Sequence, residues 1–226
     1  MNKFGWHLPD DDVEFSAYLE VISSGRECLF EGRVVYQPEH LMAVSRYFTN
    51  FTDACAIDIG AHIGFWSFLL CTRFKKVYAF EPSESMRALF VRNIESRNVE
   101  LFPVALADED GRGSLQVIEG NSGASFMTFG AEGKVECRTL DSYGLTGVGF
   151  LKIDVEGAEY LVLKGARQTI SSSKPLIIVE QKQFGSRYAK RPEDVRELLG
   201  SLGYSLAERV HKDEIFVPAE MLRDAR

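Results

Sequence analysis

The sequence predicts an α/β fold built on a mostly parallel sheet. From about residue 54, apolar strand-like runs alternate with segments of helical period, the pattern that βαβ units produce. The first run ends in a glycine-punctuated turn, Gly60-Ala61-His62-Ile63-Gly64, and a helical pattern follows. About twenty residues on, a second run, Val77 to Phe80, ends in Glu81, where a doubly wound fold sets an acid against ribose hydroxyls.

Taken in order, residues 13–24 and 38–52 read as helices with a short hairpin at 28–36 between them. Residues 1–50 are thus expected to form a helical and hairpin extension or lid, and 51–226 the cofactor-binding domain. The first core strand spans about 54–59 with its helix at 63–73, and the second spans 76–80. Ser83 caps a helix running through Asn98, because Met86, Leu89, Phe90 and Ile94 share one face. A third strand is expected near 99–105, and an inserted hairpin pairs 114–118 with 134–138 across the glycine-rich stretch 120–133. The fourth strand, 148–154, precedes a helix at 157–172; the fifth, Leu176 to Val179, ends at Glu180. A helix at 192–201 stops before Gly203, and 204–209 with 214–217 form a terminal antiparallel pair. The whole is a Rossmann-like, seven-stranded sheet with helices on both faces.

At 226 residues one domain suffices. No apolar run approaches the ~20 residues that span a bilayer, and the segment carrying Asp10-Asp11-Asp12 has no apolar core of a secretory signal. Cys28, Cys55, Cys71 and Cys137 lack paired spacing. A cytoplasmic location with no membrane partner is expected; the sequence assigns no oligomeric state. The net charge of −7 disfavours broad nucleic-acid binding and leaves room for a local basic site. Lys182, Arg187, Lys190 and Arg191, with Phe184 and Tyr188 between them, form such a stretch. Read blandly it is a solvated loop; facing the active site it would favour a phosphorylated acceptor.

In a parallel sheet ligands bind beyond the carboxyl ends of the strands. Asp58, Glu81, Asp154 and Glu180 all lie at or near such ends. Gly60 and Gly64 let backbone approach a ligand, and a Gly-x-x-x-Gly spacing argues for S-adenosylmethionine over a nicotinamide dinucleotide. Asp58 is read as ordering the turn or reaching the methionine amino group through water, and Glu81 as accepting both ribose hydroxyls. Ala105, with Val104 and Leu106, would wall the adenine, and Asp108 either meets its exocyclic amine or opens a turn. Asn121, Ser122 and Ser125 lie on a polar loop over the cofactor. Asp154 is read as a general base, as a holder of the cofactor amino group, or, with Glu156 and Glu180, as a ligand of Mg²⁺. Like-charge repulsion among these three needs relief from a metal, a proton or a base such as Lys152 or Lys182.

Five segments together resemble the FkbM family of S-adenosylmethionine-dependent methyltransferases. They are Asp58-Ile59-Gly60-Ala61, Ala79-Phe80-Glu81-Pro82, Gly120-Asn121-Ser122-Gly123-Ala124-Ser125, Thr139-Leu140-Asp141-Ser142 and Phe150-Leu151-Lys152-Ile153-Asp154-Val155-Glu156-Gly157-Ala158-Glu159. The likeness covers residues 36–182, and its one visible departure is His62, where the family usually has Asn. The resemblance implies a class I methyltransferase that converts S-adenosylmethionine to S-adenosylhomocysteine, with catalytic Asp154, Glu156 and Glu180. It implies cofactor contacts from Tyr36, Asp58, Gly60, Ala61, His62, Gly64, Glu81, Pro82, Ser83, Ala105, Asn121, Ser125 and Asp154. His62 reads as a capping substitute ahead of a catalytic base, His40 as a second candidate, and Tyr36 with Gln37 as closing the pocket. The aromatic side chains Phe4, Trp6, Phe15 and Tyr18 read as core or lid packing. The implied reaction is O-methylation of a small molecule, sugar or glycan. The alternatives are a nitrogen, nucleotide or nucleic-acid acceptor, and, from another class, an inactive cofactor-binding interaction module.

Overall fold

The computed structural model describes residues 2–23, 29–47, 51–181, 187–188 and 190–223. Cys28, Lys182 and Phe184 lie outside them. The chain opens with β1 (Asn2–Lys3) and β2 (Trp6–His7), then α1 (Val13–Ser23), β3 (Leu29–Phe30), β4 (Arg33–Val34) and α2 (Pro38–Ser45). The next elements are β5 (Cys55–Ile59), α3 (Phe65–Leu70), β6 (Lys76–Phe80), α4 (Glu84–Asn93) and β7 (Val99–Phe102). An inserted region carries β8 (Ala105–Leu106), β9 (Gly111–Gln116), β10 (Phe126–Phe129) and β11 (Val135–Arg138). The remainder comprises β12 (Val148–Ile153), α5 (Glu159–Lys164), α6 (Arg167–Ser173), β13 (Leu176–Glu180), α7 (Pro192–Ser201), β14 (Tyr204–Val210), β15 (Asp213–Pro218) and α8 (Ala219–Arg223).

The main sheet has the order β14-β15-β13-β12-β5-β6-β7. Five strands are parallel, and β15 and β14 add an antiparallel edge. Strand order reverses between β5 and β12, so their carboxyl ends flank the crevice where such folds bind ligands. Alternate residues face opposite sides. Ile57, Leu151, Ile153 and Val179 join one apolar cluster with Val162, Ile170 and Leu199, while Ala56, Phe150 and Ile178 join another with Val44, Trp66 and Leu70. Both faces are thus dry, as a parallel sheet requires. The N-terminal extension is packed down rather than detached: Trp6, Leu8, Leu19 and Val34 share a third cluster with Ile63, Phe65, Phe68 and Met86. No helix among the described residues is long and apolar enough to cross a membrane.

Several elements differ from expectation for identifiable reasons. The third strand breaks at Pro103, and β8 leaves the main sheet to pair with β11. The insert is a four-stranded sheet, β10-β9-β11-β8, rather than one hairpin, and β10 lies inside the stretch read as a glycine-rich connector. The helix foreseen at 157–172 divides at Gly165, where an added Cβ would sit 2.0 Å from the Ala107 carbonyl oxygen. Asp141 then caps the second half, accepting from Gln168 N and Thr169 N at 2.9 and 2.8 Å. The helix foreseen to Asn98 stops at Asn93, whose side chain is turned to the His7 backbone and the Ile63 carbonyl. Helix α2 stops at Ser45, and α3 is shorter than the 63–73 expected because Gly64, at φ 97°, begins it.

Gly60 is the tightest point. Its φ is 77°, and a Cβ there would lie 1.8 Å from the Asp154 carbonyl oxygen. Gly60→Ala is therefore expected to destabilise the chain by roughly 2–4 kcal/mol in chemical denaturation. Gly200→Ala, at a helical site with open space around it, should stabilise by about 0.5–1 kcal/mol; similar effects at both sites would refute the close-approach argument.

Candidate active site

A cleft of about 570 Å³ opens at the carboxyl ends of β5, β6, β12 and β13. Burial of Ile57 and Ile59 in the sheet leaves Asp58 on the opposite face, 1 % exposed. Its Oδ2 accepts from Ser67 Oγ at 2.7 Å, while Oδ1 is buried with no hydrogen-bond partner among the described residues. Burial raises its pKa, opposed by the Lys152 ammonium and the Ser67 hydroxyl. The turn beyond it runs through Gly60 and Ala61 to His62, itself left-handed at φ 53°.

Glu81 closes the turn from the next strand. Its Oε2 accepts from His62 N at 2.8 Å and its Oε1 from Ser83 N at 2.7 Å. At 6 % exposure, burial pushes its pKa up to about 7 against the pull of those two amides. Ser83 also caps α4 by accepting from Met86 N at 3.4 Å. Each Glu81 oxygen keeps acceptor capacity beyond its one amide bond.

The other end of the cleft is acidic. Asp154, Glu156 and Glu180 each offer an oxygen, all within 4.8 Å of one another. Beneath them Lys152, 2 % exposed, donates from Nζ to Asp154 Oδ2 at 3.0 Å and lies 5.6 Å from the centre of the Trp66 ring. Although burial acts to lower it, the Lys152 pKa is raised by Asp154, Asp58 and Asp213, so the side chain is an ammonium. Burial, then Asp154 and Glu180, holds the Tyr36 hydroxyl well above its usual pKa. Behind these, Glu159 Oε1 accepts from Gly157 N at 2.9 Å, and burial lifts its pKa to about 7.

An aromatic wall lies opposite. Phe15 stacks on His62 at 4.8 Å between ring centres, and Tyr36 stacks on Phe65 at 4.6 Å. His62 Nε2 lies 2.8 Å from Ser122 Oγ, and burial lowers the imidazole pKa to about 4.

The cleft thus brings together Tyr36, Asp58, Gly60, Ala61, His62, Glu81, Pro82, Ser83, Ala105, Asn121, Ser125, Asp154, Glu156 and Glu180. Gly64 is not on its lining: a Cβ there would meet the Ile94 side chain at 2.7 Å, so this glycine serves packing of α3 on α4. Asp108 pairs with Lys164 at 2.6 Å, and His40 with Asp213 at 3.0 Å; neither lines the cleft. Gln37 accepts from Trp66 Nε1 at 2.8 Å and fixes that ring. Sequence reasoning gave no site role to Phe15, Trp66 or Phe126, whose hydrophobicity reads as core, and treated Lys152 only as charge relief. A lysine inside a strand as apolar as 148–153 was the available signal.

A sequence model of the methyltransferase FkbM domain matches residues 58–206. Among solved structures, methyltransferase FkbM from Methylobacillus flagellatus KT is 18 % identical with a TM-score of 0.54, over 76 % of this chain and 45 % of that one. The chain therefore spans less than half the length of that relative. Precorrin 8W decarboxylase from Methanobacterium thermoautotrophicum is 12 % identical, TM-score 0.50, covering 85 % of this chain and 94 % of that one. A putative methyltransferase from Streptococcus mutans in complex with SAH is 13 % identical, TM-score 0.50, covering 81 % and 97 %. These structures share the fold. No curated protein matches the sequence.

His62 provides a direct test of the site's electrostatics. A pKa lowered from 6.5 to about 4 means a stabilising contribution that is full above pH 6.5 and lost as pH falls toward 4. His62→Asn, which tolerates a left-handed backbone, should narrow the stability loss on going from pH 7 to pH 5 by roughly 1–2 kcal/mol. Urea denaturation at both pH values measures it; an unchanged pH dependence would contradict a buried neutral imidazole.

Proposed function

We propose that this chain, which belongs to the FkbM family of S-adenosylmethionine-dependent methyltransferases, methylates a hydroxyl oxygen of a small molecule, sugar or glycan. The observation that carries the reading is the Lys152–Asp154 pair at 3.0 Å, one β-strand away from the Gly60 turn. The residues present fit the cofactor: a buried Asp58 oxygen has no hydrogen-bond partner among the described residues, Glu81 keeps acceptor capacity at a strand end, and Gly60 has no side chain to obstruct the turn. When bound, S-adenosylmethionine supplies an electrophilic methyl group on a sulfonium centre. Glu81 would accept the ribose hydroxyls and Asp58 would serve the amino-acid end, while Val104, Ala105 and Leu106, which line the cleft, would wall the base. One solved structure that shares the fold is a complex with SAH.

Asp154 would hold and take the proton of the acceptor hydroxyl, whose oxygen would receive the methyl group as the neutral thioether leaves. Lys152 fixes one of its carboxylate oxygens, and Phe15 and Tyr36 exclude water and flank the acceptor. An acceptor bearing an anionic group also finds a counter-charge. Arg187, from the basic stretch, lies 3.9 Å over the Phe126 ring and donates to the Glu156 carbonyl at 3.0 Å; Phe126 and Glu156 both line the cleft. The reading requires no divalent ion, since Lys152 already sets a cation against Asp154. Mg²⁺ on Asp154, Glu156 and Glu180 would serve to acidify the hydroxyl. We assign cofactor binding and proton transfer to the 51–226 domain, with the N-terminal extension or lid bringing Phe15 and Tyr36 to the cleft.

Calorimetric titration with S-adenosylmethionine and S-adenosylhomocysteine, with and without Mg²⁺, tests the cofactor. Micromolar saturable binding is expected, and none in a folded sample would overturn the reading. Glu81→Ala should weaken binding by about 1.5–3 kcal/mol, as for loss of charge-assisted hydrogen bonds; unchanged affinity would remove the ribose assignment. Once an acceptor is identified, Asp154→Asn should slow methyl transfer by about 10²–10⁴-fold while S-adenosylhomocysteine still binds. Near-normal turnover would take Asp154 out of the catalytic set.

A further inference from the structure

We propose that Asp12 is a positioning residue of the cofactor site, acting through Ser122 and His62 on the Glu81 carboxylate. The proposal rests on the S-adenosylmethionine reading of the cleft. Asp12 immediately precedes α1 and is 2 % exposed. Its two carboxylate oxygens have different partners. Oδ1 accepts from Phe15 N at 3.0 Å and so caps the helix that presents Glu14, Phe15 and Tyr18 to the cleft. Oδ2 accepts from the Ser122 amide at 2.8 Å and also from the Ser122 hydroxyl.

A serine hydroxyl has one proton to donate. With that proton committed to Asp12, Ser122 Oγ can only accept from His62 Nε2, 2.8 Å away. His62 therefore carries its ring proton on Nε2, and its ring plane is set by Ser122 on the edge and Phe15 on the face. The His62 backbone is left-handed, an uncommon conformation outside glycine, and the ring contacts help hold it there. That same residue's N–H donates to Glu81 Oε2 at 2.8 Å. The links Asp12–Ser122, Ser122–His62 and His62–Glu81 span 110, 60 and 19 residues of sequence. They connect an N-terminal helix cap to the acid that faces the ribose. A parallel tie, Asn121 Nδ2 to Glu14 Oε2 at 2.5 Å, holds the 121–125 loop to α1 beside the first link.

Asp12→Asn separates the two tasks. Asparagine caps helices as well as aspartate does, but it turns an amide N–H₂ toward the two Ser122 donors. On the full chain, calorimetry with S-adenosylhomocysteine should show binding weakened about 5–30-fold, the scale of a lost charge-assisted contact, with the urea midpoint near that of the parent. Ser122→Ala should weaken binding similarly, and Ser122→Thr, which keeps the hydroxyl, should largely restore it. Because the path ends on Glu81, the losses from Asp12→Asn and Glu81→Ala should be less than additive when combined. Full affinity in both Asp12→Asn and Ser122→Ala, or strictly additive losses with Glu81→Ala, would overturn the proposal. A purely structural Asp12 would move the urea midpoint and leave the cycle additive. Absence of binding by the parent chain is a separate result, which removes the cofactor reading and this proposal with it.

Discussion

The parallel pairing of β5 with β12 is the constraint on which the rest of the site depends. In its register Lys152 lies beside Asp58 and Ile153 beside Ile59, and Asp154 N donates to the Ile59 carbonyl at 3.0 Å. The two strands therefore end side by side, and the turn leaving one must pass against the backbone leaving the other. Only a residue without Cβ fits there, which is why Gly60 stands at that point. The same register sets a buried ammonium between acids of three strands. Isolated buried carboxylates are costly, and Lys152 offsets that cost for Asp58 and Asp213 while pairing with the partly exposed Asp154.

The site follows from that pairing as a division of labour across the switch point. On the β5–β6 side the groups are backbone amides, the Glu81 carboxylate and small side chains, suited to holding a nucleoside. On the β12–β13 side they are carboxylates over a lysine, suited to moving a proton and orienting a polar acceptor. The buried titratable groups at the cleft do not all shift the same way. Glu81 and Glu159 are raised toward pH 7 by burial, whereas burial depresses His62. Folding stability near neutrality thus carries opposing pH trends: the two glutamates favour the folded state at lower pH and His62 favours it at higher pH.

Over both halves lies a roof that the core sheet does not supply. It is built from α1, the segment at Tyr36 and the 121–125 loop, with Asp12 and Glu14 accepting hydrogen bonds from Ser122 and Asn121. Its aromatic underside, Phe15 and Tyr36, is continuous with Phe65 at the start of α3. The N-terminal extension therefore lines the cleft as well as covering the sheet. The β10 strand of the insert contributes Phe126 and Met127 to the opposite rim, where Tyr188 donates to the Met127 carbonyl at 2.5 Å.

What the sequence determined by itself was everything set by short-range pattern. Alternating apolar runs mark the strands, Ser83 marks a helix start, Gly60 and Glu81 mark a turn and a strand end that line one cleft, and acids after apolar runs mark the strand ends that converge. The motifs from Asp58 to Glu159 carried the family. The tertiary structure alone decided which of those residues meet. Gly64 and Gly60 look equivalent in the turn, yet one packs against Ile94 and the other against Asp154, because the two Cα–H directions differ. His40 looked like a site residue and is tied instead to Asp213, 173 positions away. Asp12, one of three consecutive aspartates, is indistinguishable from its neighbours until α1 folds back over Ser122. Local propensity fixes a residue's element and its face; the partner across a hundred residues is set by sheet order and by the packing of loops over it, and neither is written in the spacing of the chain.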